Sequence, residues 1–371
     1  MEKAIRFGAA LTGESLELKG PGCLWLDSGR ISSITSTGSC PQNALGGDRL
    51  LILPQPGLAH AHSADYAFTE YGAKKPISAL VSYPGGEKHK RLIRLSRSKL
   101  VEATRRYYLE ALRLGVGVIL DFREMGGYGC ETARQALAGV EGLDVVLLGR
   151  PGPGWPGACD GLGISSPLDY PLEDLKSLVK IYRPSAAHVA ETPATLEAGD
   201  FDLAVELGFD FIIHGTFLRR EHLGELAKRG IGLVFSVRSN MWHGLGLPPV
   251  LEALGEEGLL VALGSDNAAW IPPDPWGELS GALYAARLQG FVAEEEARKL
   301  LSAAFIAPYV LAGLKPRLVA EGSDAHLVGL YVDVDSLLDS ESPMLWIAKR
   351  VGAGLIVIRV DGERVSKPFI G

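Results

Sequence analysis

Apolar positions along this chain come in two rhythms. Near the start they form short runs, Ser15–Leu18, Cys23–Leu26 and Ile31–Ile34, broken by Gly and Ser. Runs so short, bounded by turn residues, predict strands rather than helices. The end repeats the pattern with Leu327–Val332, Leu355–Val360, a turn at Asp361-Gly362, and Arg364-Val365. An Asp-Gly between apolar runs is a hairpin signal. Two β-rich ends around a long middle predict one small β domain assembled from both termini.

The middle alternates short apolar runs with segments of helical period. Predicted strands are Leu51–Leu58, Gly117–Phe122, Val145–Leu148, Leu162–Ser165, Ala186–Ala190, Phe211–His214, Leu233–Val237 and Leu260–Gly264. Between and after them fall helical patterns at Ser98–Leu114, Glu131–Val140, Leu172–Tyr182, Phe201–Leu207, Arg220–Lys228, Pro249–Gly255, Trp276–Leu288 and Glu294–Ala312. Eight strands, each leading to a helix, fit a (β/α)8 TIM barrel of about 250 residues. A doubly wound sheet would ordinarily carry a Gly-rich turn after its first strand, and none is present. The expected architecture is therefore α/β: a (β/α)8 TIM barrel over 53–322, and a small β-sandwich domain from 1–52 and 323–371.

Composition narrows the function. The 371 residues carry 37 basic and 44 acidic groups, a net charge of −7, and 47% are apolar. An acidic chain without a Lys/Arg block lacks the electrostatic footprint of a nucleic-acid binder. The longest apolar candidate, Ala303–Leu314, contains Pro308 and falls short of the roughly 18–20 residues a bilayer span needs, so no membrane partner is expected. Charges at Glu2, Lys3 and Arg6 occupy the place of a signal segment's apolar stretch, which points to the cytoplasm. The four cysteines, Cys23, Cys40, Cys130 and Cys159, include no Cys-x-x-Cys pair, so neither a disulfide framework nor a zinc ribbon is expected. One bridge, Cys23–Cys40, is compatible with a thermophile's cytoplasm. Only three Asn and four Gln occur, and scarce thermolabile amides point the same way.

Working residues of such barrels sit at the C-terminal ends of the strands. The first predicted strand runs into Gly57-Leu58-Ala59-His60-Ala61-His62, and histidines at i and i+2 of a strand share a face. The fifth ends in His188-Val189-Ala190-Glu191, the sixth in His214-Gly215, and the eighth in Gly264-Ser265-Asp266-Asn267. Singly, each has a structural explanation: a hydrogen-bonded core histidine, or an Asx turn at Asp266. Together, four of the eight histidines and two acids fall at four strand ends on one side, which favours a metal site. Among the other histidines, His222 and His326 read as structural. His89 lies in a stretch with Lys88, Lys90 and Arg91 that reads as a solvated face, and His243 as either a substrate contact or a loop cap.

Pro56-Gly57-Leu58 leading into His60-x-His62, with His188-x-x-Glu191-Thr192, His214-Gly215, Arg238-Ser239-Asn240-Met241 and Gly264-Ser265-Asp266-Asn267, resembles the amidohydrolase superfamily. The similarity is greatest to its cytosine deaminase and chlorohydrolase branch. Glu321-Gly322-Ser323-Asp324-Ala325-His326-Leu327-Val328 is similar to the segment by which that family's chain re-enters its β domain.

The resemblance implies that His60, His62, His188 and Asp266 hold one divalent ion, zinc first, with Fe2+ or Mn2+ as alternatives. It implies Glu191 as proton shuttle, His214 as the group that orients water or polarises the bond, and Asp266 as proton acceptor. Because Glu191 lies three residues after His188, a regular strand would point it the opposite way, so this role requires an irregular strand end. Superfamily members with two metals carry a lysine on the fourth strand; Gly161–Ser166 has none, which favours a single ion. Ser165-Ser166 stands where many branch members place a substrate-touching histidine. The segment Ser63–Arg97 also departs from the usual substrate loop: its Tyr66, Phe68, Tyr71 and Tyr83 offer an aromatic wall, a cover for the barrel mouth or a subunit contact. Further substrate-contact candidates are Arg123, Ser239, Asn240, His243 and Trp270, with Arg123 alternatively paired to Glu124. The function expected is hydrolytic deamination of a small amino-substituted heterocycle. Hydrolysis of a cyclic amide or imide is the alternative, a non-catalytic scaffold the remote one, and a homodimer the default assembly.

Overall fold

The computed structural model describes residues 3–366. Positions 1–2 and 367–371, assigned above to the terminal β segments, lie outside the described residues. The fold is mixed α/β around a nine-stranded parallel sheet. Its strands are β1 (Gly57–His62), β2 (Val118–Arg123), β3 (Asp144–Gly149), β4 (Gly161–Ile164), β5 (Ser185–Val189), β6 (Phe211–His214), β7 (Gly232–Phe235), β8 (Val261–Leu263) and β9 (Asp266–Asn267). They pair in chain order from β1 to β8, and β9 pairs with the free edge of β1, matching Asp266 to Ala61. Only Gly264-Ser265 separates β8 from β9, so the two edges of the sheet meet within one short stretch and the sheet curls. Helices follow most of the strands, as the alternating pattern predicts.

Parallel strands covered on both faces read as nearly unbroken apolar runs, and these do. Alternate residues point inward: Val118, Leu120 and Phe122 of β2 join Ala59, Val146, Leu148, Phe211, Ile213 and Val234 in one buried cluster. Tyr309 and Leu311 pack against it, and the Tyr309 hydroxyl donates to the Gln55 carbonyl at 3.0 Å. That closes the end opposite the candidate site. Phe122 reaches the other end, where its ring meets His60 edge-on with centroids 4.5 Å apart.

A second sheet of eight strands draws on both ends of the chain. Leu45–Pro54 lies at its centre, parallel to Lys3–Thr12 and antiparallel to His326–Tyr331. Three features differ from expectation. Leu51–Leu58 is not one strand but the end of Leu45–Pro54 and the start of β1, in different sheets. Pro54 and Pro56 bracket Gln55 at the switch, where proline cannot continue a ladder. The terminal β region also contains two helices, Val334–Leu338 and Pro343–Arg350; the second buries Met344, Ile347 and Ala348 at helical spacing. Finally, Glu294–Ala312 is two helices, parting at Ile306 just before Pro308.

The cysteine expectation is corrected too. Cys23–Cys40 and Cys130–Cys159 are both bridged, and no cysteine is free. Cys130 sits on the helix Gly126–Leu137 after β2 and Cys159 just before β4. Folding brings their Cα atoms to 5.2 Å, a proximity that spacing in sequence does not reveal. No helix among the described residues is long and apolar enough to cross a membrane.

Candidate metal centre

The four expected ligands come together at the C-terminal ends of β1, β5 and the β8–β9 junction. His60 Nε2 lies 3.1 Å and His62 Nε2 3.6 Å from Asp266 Oδ1. His62 Nε2 and His188 Nε2 are 3.4 Å apart. His60, His62 and Asp266 have ligand atoms within 4.8 Å of one another, as do His60, His188 and His214. Nδ1 of His214 and Nδ1 of His60 are buried without a hydrogen-bond partner.

The electrostatics suit a cation. Burial pushes the pKa values of His60, His62 and His188 down, that of His62 to about 3, and the Lys88 charge lowers His62 further. These imidazoles are therefore neutral at pH 7. Burial alone would raise Asp266, but its hydrogen bond and proximity to His60 outweigh that and hold it well below the usual carboxylate range. Neutral imidazoles beside an ionised carboxylate are the protonation states a divalent ion requires. The ring nitrogens facing away are also arranged: His188 Nδ1 donates to the Ile164 carbonyl at 2.8 Å, leaving its Nε2 lone pair toward the cluster. Glu124 Oε1 lies 2.9 Å from Nδ1 of His62. Ser239 Oγ donates to Asp266 Oδ2.

Backbone strain marks the same place. Ala190, His214 and Asp266 have φ of +50°, +72° and +64°, left-handed values that cost non-glycine residues on the order of 1 kcal/mol each. The first has a direct consequence for Glu191. β5 stops at Val189, Ala190 turns left-handed with its N–H on Asp200 Oδ2, and Glu191 Oε1 comes within 3.7 Å of His214 Nε2. This is the irregular strand end that Glu191's expected role demands. Burial raises the Glu191 pKa.

The pocket over this cluster is small, about 50 Å3, and is lined by His62, His188, Glu191, His214 and Asp266 together with Ser165, His243 and Trp270. His243 and Trp270 meet edge-on at 4.7 Å. Ile77, Val81 and Lys88 from the segment 63–97 also line the pocket, so that segment covers the site. Of its aromatic residues, Tyr71 packs on Trp270 at 4.8 Å and accepts the indole N–H on its carbonyl at 2.8 Å. Phe68 packs against the same cluster, and Tyr66 turns away to Glu110.

Other expected contacts lie elsewhere. Arg123 is buried and faces away from the pocket. Its Nη1 donates to Ser63 Oγ at 2.7 Å and lies 3.3 Å from Asp121 Oδ2, and its Nε donates to the Gly129 carbonyl at 3.1 Å. Its carboxylate partner is therefore Asp121, not Glu124. Asn240 is buried with its amide on Thr216 Oγ1 at 2.8 Å. Ser239 acts on Asp266, and neither it nor Asn240 lines the pocket. His222 Nδ1 accepts the Arg219 N–H at a helix start, and His326 pairs with Asp361 at 3.7 Å. Neither lines the pocket.

The expectation of a solvated face at Lys88–Arg91 fails at its first residue. Lys88 is buried, with Nζ 2.6 Å from Glu124 Oε1 and 3.2 Å from Asp65 Oδ2. The helix Glu87–Leu92 carries Lys88 and Leu92 inward together, and their i, i+4 spacing is the signal that could have shown it. Arg150, also in the pocket wall, went unremarked although it directly follows the apolar run of β3.

No family model matches the chain. An uncharacterized protein of Methanocaldococcus jannaschii is 28% identical over 282 residues, 69% of this chain and 73% of that protein. A Methanothermobacter thermautotrophicus protein named "Putative aminohydrolase" is 25% identical over 291 residues, 71% of this chain and 75% of its own length. Among solved structures, a zinc-bound adenosine deaminase of Xanthomonas campestris superposes with a TM-score of 0.77, covering 98% of this chain and 92% of that one at 12% identity. The chain shares the fold of that deaminase. A guanine deaminase of C. acetobutylicum with bound guanine gives 0.72 over 99% of this chain and all of its own, at 16% identity.

Proposed function

We propose that this amidohydrolase-fold protein is a metal-dependent aminohydrolase that removes ammonia from a small amino-substituted heterocycle. The observation that carries it is the convergence of His60, His62, His188 and Asp266, with Glu191 and His214 beside them in one pocket. The relative named an aminohydrolase, and structural neighbours that act on purines, support the same chemistry. Within this proposal the parallel sheet is a (β/α)8 barrel closed across Gly264-Ser265, and the strands from both ends form a separate small β domain. A cytoplasmic location belongs to it as well; two disulfides there are compatible with a heat-adapted organism.

The donor set fits one divalent ion, with His60, His62, His188 and Asp266 as ligands and zinc as the first choice. Bound there, such an ion would polarise a water and lower its pKa to about 7. Asp266, ionised, accepts the proton of the attacking water on its carboxylate and later returns it to the departing amine. Glu191, raised in pKa by burial, donates a proton to the ring nitrogen next to the carbon under attack. His214, from the next strand, holds the nucleophile and Glu191 in line. The covered pocket excludes bulk water from these exchanges.

Product mass tests the reaction type. Deamination exchanges an amino group for oxygen, whereas opening a cyclic amide or imide adds a whole water. Incubating the zinc-loaded protein with aminopyrimidines, aminopurines, aminotriazines and cyclic imides in 18O-water should give exchange products from one amino-heterocycle class. Water-addition products alone would move the assignment to cyclic amides.

A further inference from the structure

We propose that Arg150 anchors a carboxylate on the substrate, so that the heterocycle is an anionic amino-heterocycle carboxylate rather than a neutral base. This rests on the aminohydrolase assignment and specifies its substrate class. Arg150 is the first residue after β3 and stands in the pocket wall with Ser165 and Lys88. Arg150 is strongly buried, only 6% exposed, yet its Nε and Nη1 have no hydrogen-bond partner. Buried donors without partners are rare in native proteins, and a charged one is costlier still.

No carboxylate pairs with it directly, although Glu124 is near enough to feel its charge. Glu124 and Asp65 are taken up by Lys88, at 2.6 and 3.2 Å, and among the described residues no carboxylate lies within ion-pair distance of Arg150. Its guanidinium carbon sits 4.6 Å from the centroid of the Tyr83 ring, which in turn stacks on Tyr170 at 6.1 Å. The Tyr83 ring lies over the guanidinium and takes none of its N–H groups, which stay available to donate charge-assisted hydrogen bonds to a carboxylate. The small pocket favours a compact planar anion attached directly to the ring over a sugar phosphate.

Calorimetric titration of the zinc-loaded full chain with pyrimidine-4-carboxylate and pyrimidine-4-carboxamide tests this, using wild type, Arg150→Met and Arg150→Lys. Wild type should bind the carboxylate at least about tenfold more tightly than the amide, and Arg150→Met should erase that difference, a loss typical of a charge-assisted pair. Arg150→Lys should recover part of it. Because Arg150→Met removes an unpaired buried charge, its melting temperature should not fall. Equal binding of the two probes to wild type would overturn the inference. So would carboxylate binding untouched by Arg150→Met, as expected of an anion seated on the zinc, or loss of binding accompanied by a lowered melting temperature in both variants. Ammonia release separates the two levels. Release from neutral amino-heterocycles that is no slower than from their carboxylated forms would refute the subsite and leave the aminohydrolase standing. Arg150-dependent carboxylate binding with no ammonia from any amino-heterocycle would do the reverse.

Discussion

Glu124 Oε1 stands 2.9 Å from Nδ1 of His62, on the opposite edge of the ring from Asp266, and Lys88 holds the same oxygen at 2.6 Å. Lys88 Nζ also lies 3.1 Å from that Nδ1. Coordination through Nε2 requires the proton on Nδ1, which Glu124 can accept as a hydrogen bond and Lys88, itself a donor, cannot. Lys88 and His62 also hold Glu124 ionised, against the effect of burial. Glu124→Gln should therefore weaken metal affinity about 10–100-fold, the usual effect of losing such a supporting group. Chelator competition measures it, and unchanged affinity would detach Glu124 from the site.

Asp266 and Glu191 should separate in their effects. Asp266→Ala removes a proposed ligand and the proposed proton acceptor together, so both metal retention and turnover should be lost. Glu191→Gln should retain the metal while turnover falls about 10²–10⁴-fold, the range for a positioned general acid. Metal content and rate, measured on the same samples, check both. A Glu191→Gln protein at near-normal rate would remove it from the mechanism.

Metal affinity should be nearly flat as pH falls through 6.5, where an exposed histidine site begins to lose its ion to protons. The sign follows from burial. His62 is lowered to about 3, and His60 and His188 are lowered too, so protons compete for these nitrogens only in stronger acid. Metal titrations at about pH 7 and about pH 5 should agree within a few-fold. A steep loss between them would mean that the imidazoles titrate as exposed groups.

The Cys130–Cys159 bridge closes a separation of 29 residues, for which chain-entropy reasoning gives about 3–4 kcal/mol of stabilisation. Replacing both cysteines with serine should lower stability by that order without changing metal content, because neither residue touches the cluster. Denaturant unfolding of the two proteins gives the comparison.

Much of the site was legible because parallel strands deliver their last residues to one end, and His60, His62, His188, His214 and Asp266 each stand at such an end. The same rule covered Arg150, which follows β3 as directly as His214 closes β6. Strand parity separates the two candidates at the end of β2: Phe122 faces the inside of the curled sheet, so Asp121 and Arg123 must face away and Glu124 inward. Lys88 was hidden by composition, since Lys90 and Arg91 beside it suggest solvent while helical period pairs it with buried Leu92. Left-handed backbone at Ala190, His214 and Asp266 carries no sequence signal, because none is glycine. The second disulfide and the strand change at Pro54–Pro56 depend on contacts between elements that local pattern does not contain.

Ammonia release by the zinc-loaded protein, across aminopyrimidines, aminopurines, their nucleosides, aminotriazines and carboxylated forms of each ring, is the most direct test. His188→Ala serves as the blank. Ammonia from one ring class, absent in the blank, is the expected result. Silence across the panel from protein shown to hold its metal, or equal release by His188→Ala, would contradict a metal-dependent aminohydrolase.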